Sequence, residues 1–345
     1  MALNLLFIGG TGVISSAAVA RARSLGHRVA VLNRGVSGAR PAPAGVEHLS
    51  ADVRDPAAVR AAVGNREFDA VADFVSYTAD HVAAAVELYR GRTGQYVYIS
   101  SASAYQKPPS QLPVRESTPL RNPFWQYSRD KIAGEDVLVE AYRAEGFPGT
   151  IVRPSHTYDA TKVPLIGGWT DIHRMRAGLP VLVHGDGTSL WTLTHSRDFA
   201  TGFVGLLGRP AAVGESFTIT SDEFLPWDAV YRTLASAAGV PEPQLVHVAS
   251  ETIAAHDPGR GPGLLGDKSH SSVFDNTKIK ALVPQYCAAI PFAAGAREIL
   301  GWYDAHPQAQ VPDAGWMDVS DRLAAWAGAG AADGKRRKKS PAPGV

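Results

Sequence analysis

The sequence contains little cysteine and no long apolar run, and both absences limit the classes of protein to which it can belong. Cys287 is the only cysteine among 345 residues, so disulfides within the chain and a multi-cysteine zinc site are excluded, and we predict no metal. No apolar run reaches the length of a membrane span. The first residues lead into a glycine-rich turn without a basic segment, which predicts a strand and not a signal peptide. We therefore expect a cytoplasmic protein without a membrane partner.

Net charge is also small, +1 at pH 7, but it is unevenly distributed. Residues 335–339 are all lysine or arginine, and without them 29 basic residues stand against 33 acidic ones. A mildly acidic body argues against a nucleic-acid partner. The basic segment could contact anions, but the Ala/Gly-rich, basic and Pro-containing composition of residues 328–345 predicts a disordered tail.

Short apolar runs alternate with helical patterns through the first half of the chain. We predict strands at 3–8, 28–33, 46–51, 68–75, 95–100 and 149–153, with helices between them. This alternation predicts an α/β protein with a Rossmann-type, doubly wound parallel sheet. Beyond residue 154 the pattern loosens, which predicts a smaller mixed α/β region. We predict a dinucleotide-binding domain at 1–160 with 196–220, and a substrate-binding region at 161–195 with 221–327.

Gly9 and Gly12 lie between the first predicted strand and helix. Glycines at this point allow a tight turn and a close approach of the backbone to a pyrophosphate at the helix N-terminus. The third position of such motifs is usually glycine for close packing of helix on strand, and here it is Ser15. Because this side chain is small, we expect a slight adjustment of the turn and not the loss of the site.

The end of the second strand bears on the choice of cofactor. NAD sites usually place an acidic residue there, whereas this chain has Asn33 and Arg34, followed by Ser37. Because a guanidinium can hold a 2′-phosphate bidentately, the sequence favours NADP over NAD. Arg34 could instead stack on adenine or pair with a surface acid. Asp52, after the third strand, either meets the adenine amino group or caps its own loop.

Tyr127 and Lys131 stand four residues apart in a helical pattern, so their side chains share one face of the predicted helix. A lysine ammonium beside a phenol favours the phenolate and lowers the pKa of the phenol. Such a phenol can exchange a proton with a substrate hydroxyl. Taken alone, so short a motif favours a solvated tyrosine and lysine on a surface helix, and only the other motifs of the chain favour the catalytic interpretation.

With these motifs together, the chain resembles the extended short-chain dehydrogenases/reductases, in their NAD-dependent epimerase/dehydratase family. The resemblance covers roughly the first 160 residues and rests on Gly9–Gly12, Asp52, Ser100–Tyr105, Tyr127 with Lys131, and Arg153 with Pro154. A finer likeness is to the subgroup that contains the chloroplast stem-loop-binding proteins. It rests on Asn33-Arg34-Gly35, Asp73-Phe74-Val75, and Phe274-Asp275-Asn276 with Lys278.

The resemblance implies a role for each matching residue. Ser101 would hydrogen-bond the reacting oxygen, Tyr127 would move the proton, and Lys131 would hold the nicotinamide ribose. The implied cofactor-binding residues are Gly9, Thr11, Gly12, Val13, Ile14, Asn33, Arg34, Ser37, Asp52, Val53, Phe74, Tyr127, Lys131 and Pro154. The candidate substrate-binding residues are Ser103, His156, Trp191 and His195.

Two departures from the family pattern limit the chemistry. Dehydratase members carry an Asp-Glu pair after the catalytic position, whereas this chain has Ala102 and Ser103, which disfavours elimination of water. Trp191 occupies a position where the family usually has an arginine that binds a substrate diphosphate. Either the diphosphate is held elsewhere or the substrate lacks one. Trp191 could stack on a base or a sugar, or it could be a buried packing residue.

The sequence thus predicts an NAD(P)-dependent epimerase or reductase that acts on a hydroxyl or keto carbon of a sugar, nucleotide sugar or nucleoside. A first alternative is a nucleic-acid-binding protein on the same fold. It predicts salt-dependent RNA binding, and deleting residues 335–339 would separate binding by the tail from binding by the body. A second alternative is a cofactor-binding regulator without turnover. The family resemblance also implies a homodimer.

Overall fold

The structure is a computed structural model that describes residues 2–35 and 40–337, with side chains described as far as residue 328. The strands are β1 (Asn4–Ile8), β2 (Arg28–Asn33), β3 (Glu47–Ser50), β4 (Ala70–Asp73), β5 (Tyr96–Ile99), β6 (Gly149–Pro154), β7 (His156–Tyr158), β8 (Val181–His184), β9 (Leu190–Trp191), β10 (Leu193–His195), β11 (Ser216–Ile219), β12 (Leu225–Pro226) and β13 (Leu245–Val248). The α-helices are α1 (Val13–Ser24), α2 (Pro56–Val63), α3 (Ala79–Tyr89), α4 (Gln126–Glu145), α5 (Trp169–Arg176), α6 (Ser196–Leu206), α7 (Trp227–Ala237), α8 (Ser250–His256), α9 (Gly261–Gly263), α10 (Thr277–Leu282), α11 (Phe292–Ala305) and α12 (Ala314–Arg337).

Within the described residues, seven strands form one sheet in the order β11-β6-β5-β4-β1-β2-β3. Every neighbouring pair in it is parallel. The prediction of a Rossmann-type, doubly wound α/β fold is therefore confirmed. Because all seven strands run the same way, their carboxyl ends share one edge of the sheet, where ligands bind in folds of this kind.

Alternating side chains of the strands build two apolar layers. On β1, Leu5 and Phe7 face one layer with residues of α1 and α6, while Leu6 and Ile8 face the other with residues of α2 and α3. Burial on both faces explains why the strands are continuous apolar runs.

Local signals set the ends of several helices. Asp55 caps α2, because its side chain accepts hydrogen bonds from the amides of Ala57 and Ala58, both at 3.0 Å, and Pro56 takes the first helical position. Gly146 ends α4 in the left-handed conformation, with φ of 68°. Helix α4 thus runs without interruption for nearly six turns, and this regular helix fixes the direction of the side chains in its first turn.

The chain divides into two compact units. The sheet unit comprises 1–159, 192–224 and 272–292, and the second unit comprises 160–191, 225–271 and 293–345. In the second unit β8 pairs with β13 and β9 with β12, over a core that includes Leu182 and Trp316. The predicted functional division at 1–160 with 196–220 remains a prediction, and segment 272–292 belongs to the sheet unit.

The C-terminal end differs from the sequence-based expectation of disorder from residue 328. Helix α12 continues through Gly328 to Arg337, and residues 338–345 lie outside the described part of the chain. No helix in the described ranges combines the length and apolar character that crossing a membrane requires.

Candidate active site

The glycine-rich turn joins β1 to α1 and brings backbone close to its neighbours. Gly9 has φ of +84°, and a Cβ there would lie 2.3 Å from Cγ1 of Val75. A Cβ on Gly10 would lie 2.7 Å from Cγ1 of Val31. A side chain at Gly9 would collide with Val75 in the wall of the cavity, and one at Gly10 would collide with the buried core, so both glycines are needed for the tight turn that presents backbone at the helix N-terminus.

Ser15 takes part in this turn. Its hydroxyl donates to the carbonyl of Gly9 at 2.7 Å and accepts the amide of Gly12 at 2.8 Å, and the side chain is only 1% exposed. The serine at the third motif position therefore ties the two ends of the turn together, which is how the chain accommodates the departure from glycine.

A cavity of about 500 Å³ lies beside the turn. Its lining includes predicted cofactor-binding residues, namely Gly9, Thr11, Gly12, Asn33, Arg34, Asp52 and Val53. It also includes residues that were not among the predicted cofactor-binding residues, namely Leu32, Gly35, Arg40, Ala51, Arg54, Val75 and Tyr77. The shape and the glycine cradle fit a dinucleotide, with the turn placed for the pyrophosphate.

Three guanidinium groups contribute to this lining. Arg34 lies 3.8 Å from Asp52, and both side chains are largely exposed. Arg40 pairs with Asp159 at 2.6 Å. Arg54 donates to the carbonyl of Val75 at 2.7 Å. The lining thus carries three guanidinium groups and the carboxylate of Asp52, and two of the three guanidinium groups are paired with carboxylates.

Other predicted cofactor residues occupy different surroundings. Val13 and Ile14 form the first turn of α1, and Ile14 packs on the apolar layer of that face. Phe74 stacks on Phe7 with ring centres 6.1 Å apart, so its ring belongs to the core. Pro154 is the last residue of β6, opposite Ile219. Ser37 lies outside the described residues.

The alternation of strand side chains is the signal that separates Phe74 from its neighbour. Phe74 follows β4 with its ring in the core, and Val75, one position further, faces the cavity. Tyr77 and Arg54 likewise come just after the ends of β4 and β3. Position relative to the carboxyl ends of strands could therefore have identified them.

Lys131 is the most deeply buried member of the predicted catalytic set, at 1% exposure. Its Nζ donates to the carbonyls of Ser76, at 2.6 Å, and Ile99, at 2.7 Å. The carbonyl of Ser76 lies in the loop after β4, and the carbonyl of Ile99 belongs to the last residue of β5. The same ammonium lies 5.9 Å from the ring centre of Tyr127 and 4.8 Å from that of Tyr77. Tyr77 lines the cavity, so the lysine links Tyr127 to the candidate cofactor site.

Burial lowers the pKa of Lys131 to about 8. The nearby carboxylates of Asp73 and Glu135 act in the opposite direction. Asp73 is itself buried and accepts hydrogen bonds from the backbone of Val75 and the side chains of Ser76 and Tyr96. These bonds fix the loop after β4 that supplies one of the two carbonyls.

Ser101 follows β5 and caps a short 3-10 turn at Ala102–Ala104. Its Oγ lies 2.8 Å from Oγ of Ser103 and accepts the amide of Ser103 at 3.1 Å. Ser103 in turn accepts a hydrogen bond from Ser128 at 2.8 Å. Since Ser128 directly follows Tyr127, the structure connects the Ser101 loop to the first turn of α4. The sequence did not single out Ser128.

The remaining substrate-binding candidates lie in two different units. His156 and His195 belong to the sheet unit, on the paired strands β7 and β10. His195 is 2% exposed, and its ring meets that of Tyr158 edge-on at 5.2 Å. Trp191 belongs to the second unit, is 2% exposed, and stacks on Trp227 with ring centres 5.1 Å apart. Trp191 thus makes the contacts of a packing residue.

The seven parallel strands and the turn after β1 define the class: a Rossmann-type α/β protein. The model of the NAD dependent epimerase/dehydratase family matches residues 5–220, which is more than half of the chain, and the protein belongs to this family.

Two curated relatives are similar over much of the chain. The chloroplast stem-loop binding protein of 41 kDa b from Arabidopsis thaliana is 29% identical over 256 residues, covering 71% of this chain and 65% of that protein. This chain therefore spans slightly less than two thirds of the length of that relative. The 2′-dehydrokanamycin reductase of Streptomyces kanamyceticus is 28% identical over 244 residues, covering 69% of this chain and 68% of the reductase.

Solved structures share the fold at lower identity. An epimerase from Methanothermobacter thermautotrophicus superposes with a TM-score of 0.73 at 16% identity, covering 90% of this chain and 94% of the other. The UDP-glucose 4-epimerase of Thermus thermophilus, solved with NAD, gives 0.69 at 20% identity, covering 88% and 99%. These likenesses support the architecture of both units.

Proposed function

We propose that this protein is an NAD(P)-dependent epimerase or reductase that acts on a hydroxyl or keto carbon of a sugar, nucleotide sugar or nucleoside through Ser101, Tyr127 and Lys131. The observation that carries the proposal is the buried ammonium of Lys131. Two backbone carbonyls hold this ammonium in place. It lies beside the ring of Tyr127 and beside the wall of the cavity at the glycine-rich turn.

A buried ammonium is costly for the fold, because burial disfavours the charged form. Packing alone gives no reason for it, since an apolar residue of similar length would fill the space without this cost. Beside a phenol the same ammonium stabilises a phenolate, which makes Tyr127 able to take a proton from an alcohol and return it to a carbonyl oxygen. The cost is thus explained by chemistry at Tyr127.

The residues would divide the reaction as follows. When bound, the nicotinamide supplies hydride to a carbonyl carbon or takes it from a carbinol carbon. Tyr127 donates its hydroxyl proton to the carbonyl oxygen in reduction and accepts that proton in oxidation. Ser101 hydrogen-bonds the same oxygen. Lys131 holds the ribose and keeps its positive charge near Tyr127.

Names of relatives support the substrate class. One is a 2′-dehydrokanamycin reductase, and another, 28% identical over 182 residues and matching 55% of its own length, is the UDP-glucose 4-epimerase of Lactobacillus helveticus. Both names describe chemistry on carbon–oxygen groups of sugars. We therefore place the substrate of this protein among sugars and their nucleotide derivatives.

For the cofactor we propose NADP in preference to NAD. Arg34, Arg40 and Arg54 line the cavity, and a guanidinium suits the planar recognition of a phosphate. Asn33, at the end of β2, offers no carboxylate for a ribose diol, and its Oδ1 accepts the amide of Gly35 at 2.9 Å. This arrangement supports an added phosphate over a free 2′-hydroxyl.

The test begins with denaturing the purified protein and identifying any nucleotide that it releases. NADP(H), or selective binding of NADPH by the empty protein, is the expected result. Stoichiometric NAD⁺ would contradict the role of Arg34, and a protein that binds no dinucleotide would contradict the enzyme proposal as a whole.

Tyr127→Phe then tests the chemistry. We expect turnover of a sugar or nucleotide-sugar panel to fall by about 10³-fold, the middle of the range for a proton-transfer group, with cofactor binding retained. Tyr142→Phe is the matched control, because Tyr142 lies on the same helix and is 42% exposed. Full activity in the Tyr127 variant would rule out the proposed mechanism.

A further inference from the structure

Three serine hydroxyls form a continuous chain at the candidate active site. Oγ of Ser128 lies 2.8 Å from Oγ of Ser103, which lies 2.8 Å from Oγ of Ser101. Ser128 is fully buried and Ser103 is 3% exposed, whereas Ser101 is only partly buried. The chain therefore runs from the protein interior to the one hydroxyl that a substrate could reach.

The direction of these hydrogen bonds follows from counting donors. Each serine hydroxyl has one proton and two acceptor positions. Ser128 donates to Ser103. If Ser101 also donated to Ser103, the buried proton of Ser103 would have no acceptor among these three hydroxyls. An unpaired buried proton of this kind costs free energy. The arrangement in which Ser103 donates to Ser101 leaves no such proton.

The acceptor positions of Ser101 are then both occupied. One takes the hydroxyl proton of Ser103 and the other takes its amide, at 3.1 Å. The proton of Ser101 is left to point away from the chain, where the reacting oxygen would lie. Ser101 is thus prepared as a donor, which is the role needed towards a carbonyl or alkoxide oxygen.

The middle of the chain is held in place from a second side. Nδ2 of Asn122 donates to the carbonyl of Ser103 at 2.8 Å, and Oδ1 of Asn122 accepts the amides of Phe124 and Trp125, both at 3.2 Å. Asn122 is 2% exposed. It connects the Ser101 loop to the segment that begins α4, so the loop and Tyr127 are fixed relative to one another.

We propose that Ser128 and Ser103 are positioning residues that orient the hydroxyl proton of Ser101 towards the reacting oxygen. This inference rests on the proposed function. It gives Ser103 a role through Ser101, and it assigns a role to Ser128, which no motif marks. It also explains why a small hydroxyl residue at position 103 is compatible with this site, since a longer side chain would not fit between the two neighbouring serines at 2.8 Å.

The first test reads the proton order directly. Neutron diffraction from deuterium-exchanged crystals of the full chain with NADPH should show the deuteron of Ser103 directed at Ser101 and that of Ser128 directed at Ser103. A deuteron of Ser101 directed at Ser103 would overturn the inference. This measurement needs no turnover, so it decides the order of the protons even if the proposed function fails.

The second test uses Ser128→Ala, Ser103→Ala and Ser103→Thr, assayed with UDP-glucose first and then with the sugar or nucleotide sugar that the wild type turns over fastest. Removing a direct oxyanion donor costs about 10²–10³ in kcat, so we expect a loss of about tenfold from either alanine variant, which acts through Ser101. The KM for the substrate and the Kd for NADPH should change by less than about threefold. Threonine at position 103 should restore most of kcat.

Ser100→Ala is the matched control. Ser100 is 2% exposed, directly precedes Ser101, and its hydroxyl has no hydrogen-bond partner within the described structure. Its loss should leave kcat unchanged. Equal losses in all three alanine variants, or losses confined to KM or to thermal stability, would overturn the positioning role. Absence of turnover by the wild type on the whole panel would instead contradict the proposed function.

Discussion

Lys131 in the sheet unit and Asp171 in the second unit are both buried ionisable residues, at 1% and 0% exposure. Burial moves the pKa of each towards neutrality, down to about 8 for the lysine and up to about 6 for the aspartate. Their neighbours differ. Lys131 lies near the rings of Tyr127 and Tyr77, whereas the two oxygens of Asp171 accept Nε1 of Trp316, at 2.7 Å, and the amide of Gly167, at 2.9 Å.

The comparison shows that a shifted pKa records burial and does not by itself mark a catalytic group. Asp171 joins α5 to α12 within the second unit, and a Cβ on Gly167 would lie only 1.9 Å from Nε1 of Trp316, so its surroundings are filled. Lys131 places its charge beside a phenol and a cavity. Chemistry is expected only where the buried charge has a reactive neighbour.

The largest expected effect that separates the two residues comes from Lys131→Met. Turnover should fall by about 10³-fold, because the variant loses the charge that stabilises the phenolate of Tyr127. In the wild type, kcat/KM should decline as the pH rises past about 8, since the ammonium is lost there, and the variant should lack this decline. The measurement is a pH profile of both proteins. An unchanged profile would separate Lys131 from the chemistry.

The free energy of unfolding should also depend on the ionisation of Lys131, but it should rise with pH where kcat/KM declines. Because the pKa of Lys131 is lower in the folded protein, the unfolded chain binds more protons between about pH 8 and its usual value of 10.5. This contribution to stability therefore rises with pH across that window and is least favourable below it. Activity and stability thus pull in different directions at Lys131, as expected for a residue retained for function.

A smaller effect, on stability alone, is expected from Asp171→Asn. The pKa of Asp171 is raised in the folded protein, so its contribution is most favourable below the usual value of 3.8 and is lost as the pH rises through about 6. Going from pH 4.5 to pH 7 should therefore cost the wild type about 2 kcal/mol more than the variant. Urea unfolding at the two pH values measures this difference, and kcat should be unaffected. If the Asp171→Asn variant lost turnover but kept the wild-type pH dependence of stability, Asp171 would be the residue tied to chemistry, contrary to the comparison with Lys131.

The parts of this site that the sequence predicts are those whose residues lie close together along the chain. Gly9 and Gly12 lie within one turn, and Tyr127 and Lys131 lie within one helix, so local spacing was enough to place each pair together. The contacts of Lys131 with the carbonyls of Ser76 and Ile99 join residues 55 and 32 positions apart. Only the order of strands in the sheet brings these segments together, and no local pattern encodes it.

The second unit shows the same limit more strongly. The sequence leaves Trp191 open between stacking on a base or sugar and packing, because its partner Trp227 lies on a helix that the sequence pattern does not delimit. The short strands of this unit, two residues each at β9 and β12, carry too little periodicity to be recognised. The parallel sheet could be predicted because burial on both faces makes each of its strands a continuous apolar run.

The smallest effect that we predict is at Ser15, a buried residue whose role is structural although it lies in the candidate cofactor site. Ser15→Ala removes the bonds to the carbonyl of Gly9 and the amide of Gly12. Because a lost hydrogen bond costs about 1 kcal/mol, the affinity for the dinucleotide should fall about fivefold, with kcat at saturating cofactor unchanged. Ser16→Ala is the control, since Ser16 bonds only weakly, at 3.4 Å, to the carbonyl of Val13 in its own helix. Titration of both variants with NADPH decides the matter. A loss of kcat in the Ser15 variant would show that the shape of the turn reaches the reacting atoms, and that burial and chemistry cannot be assigned there to separate residues.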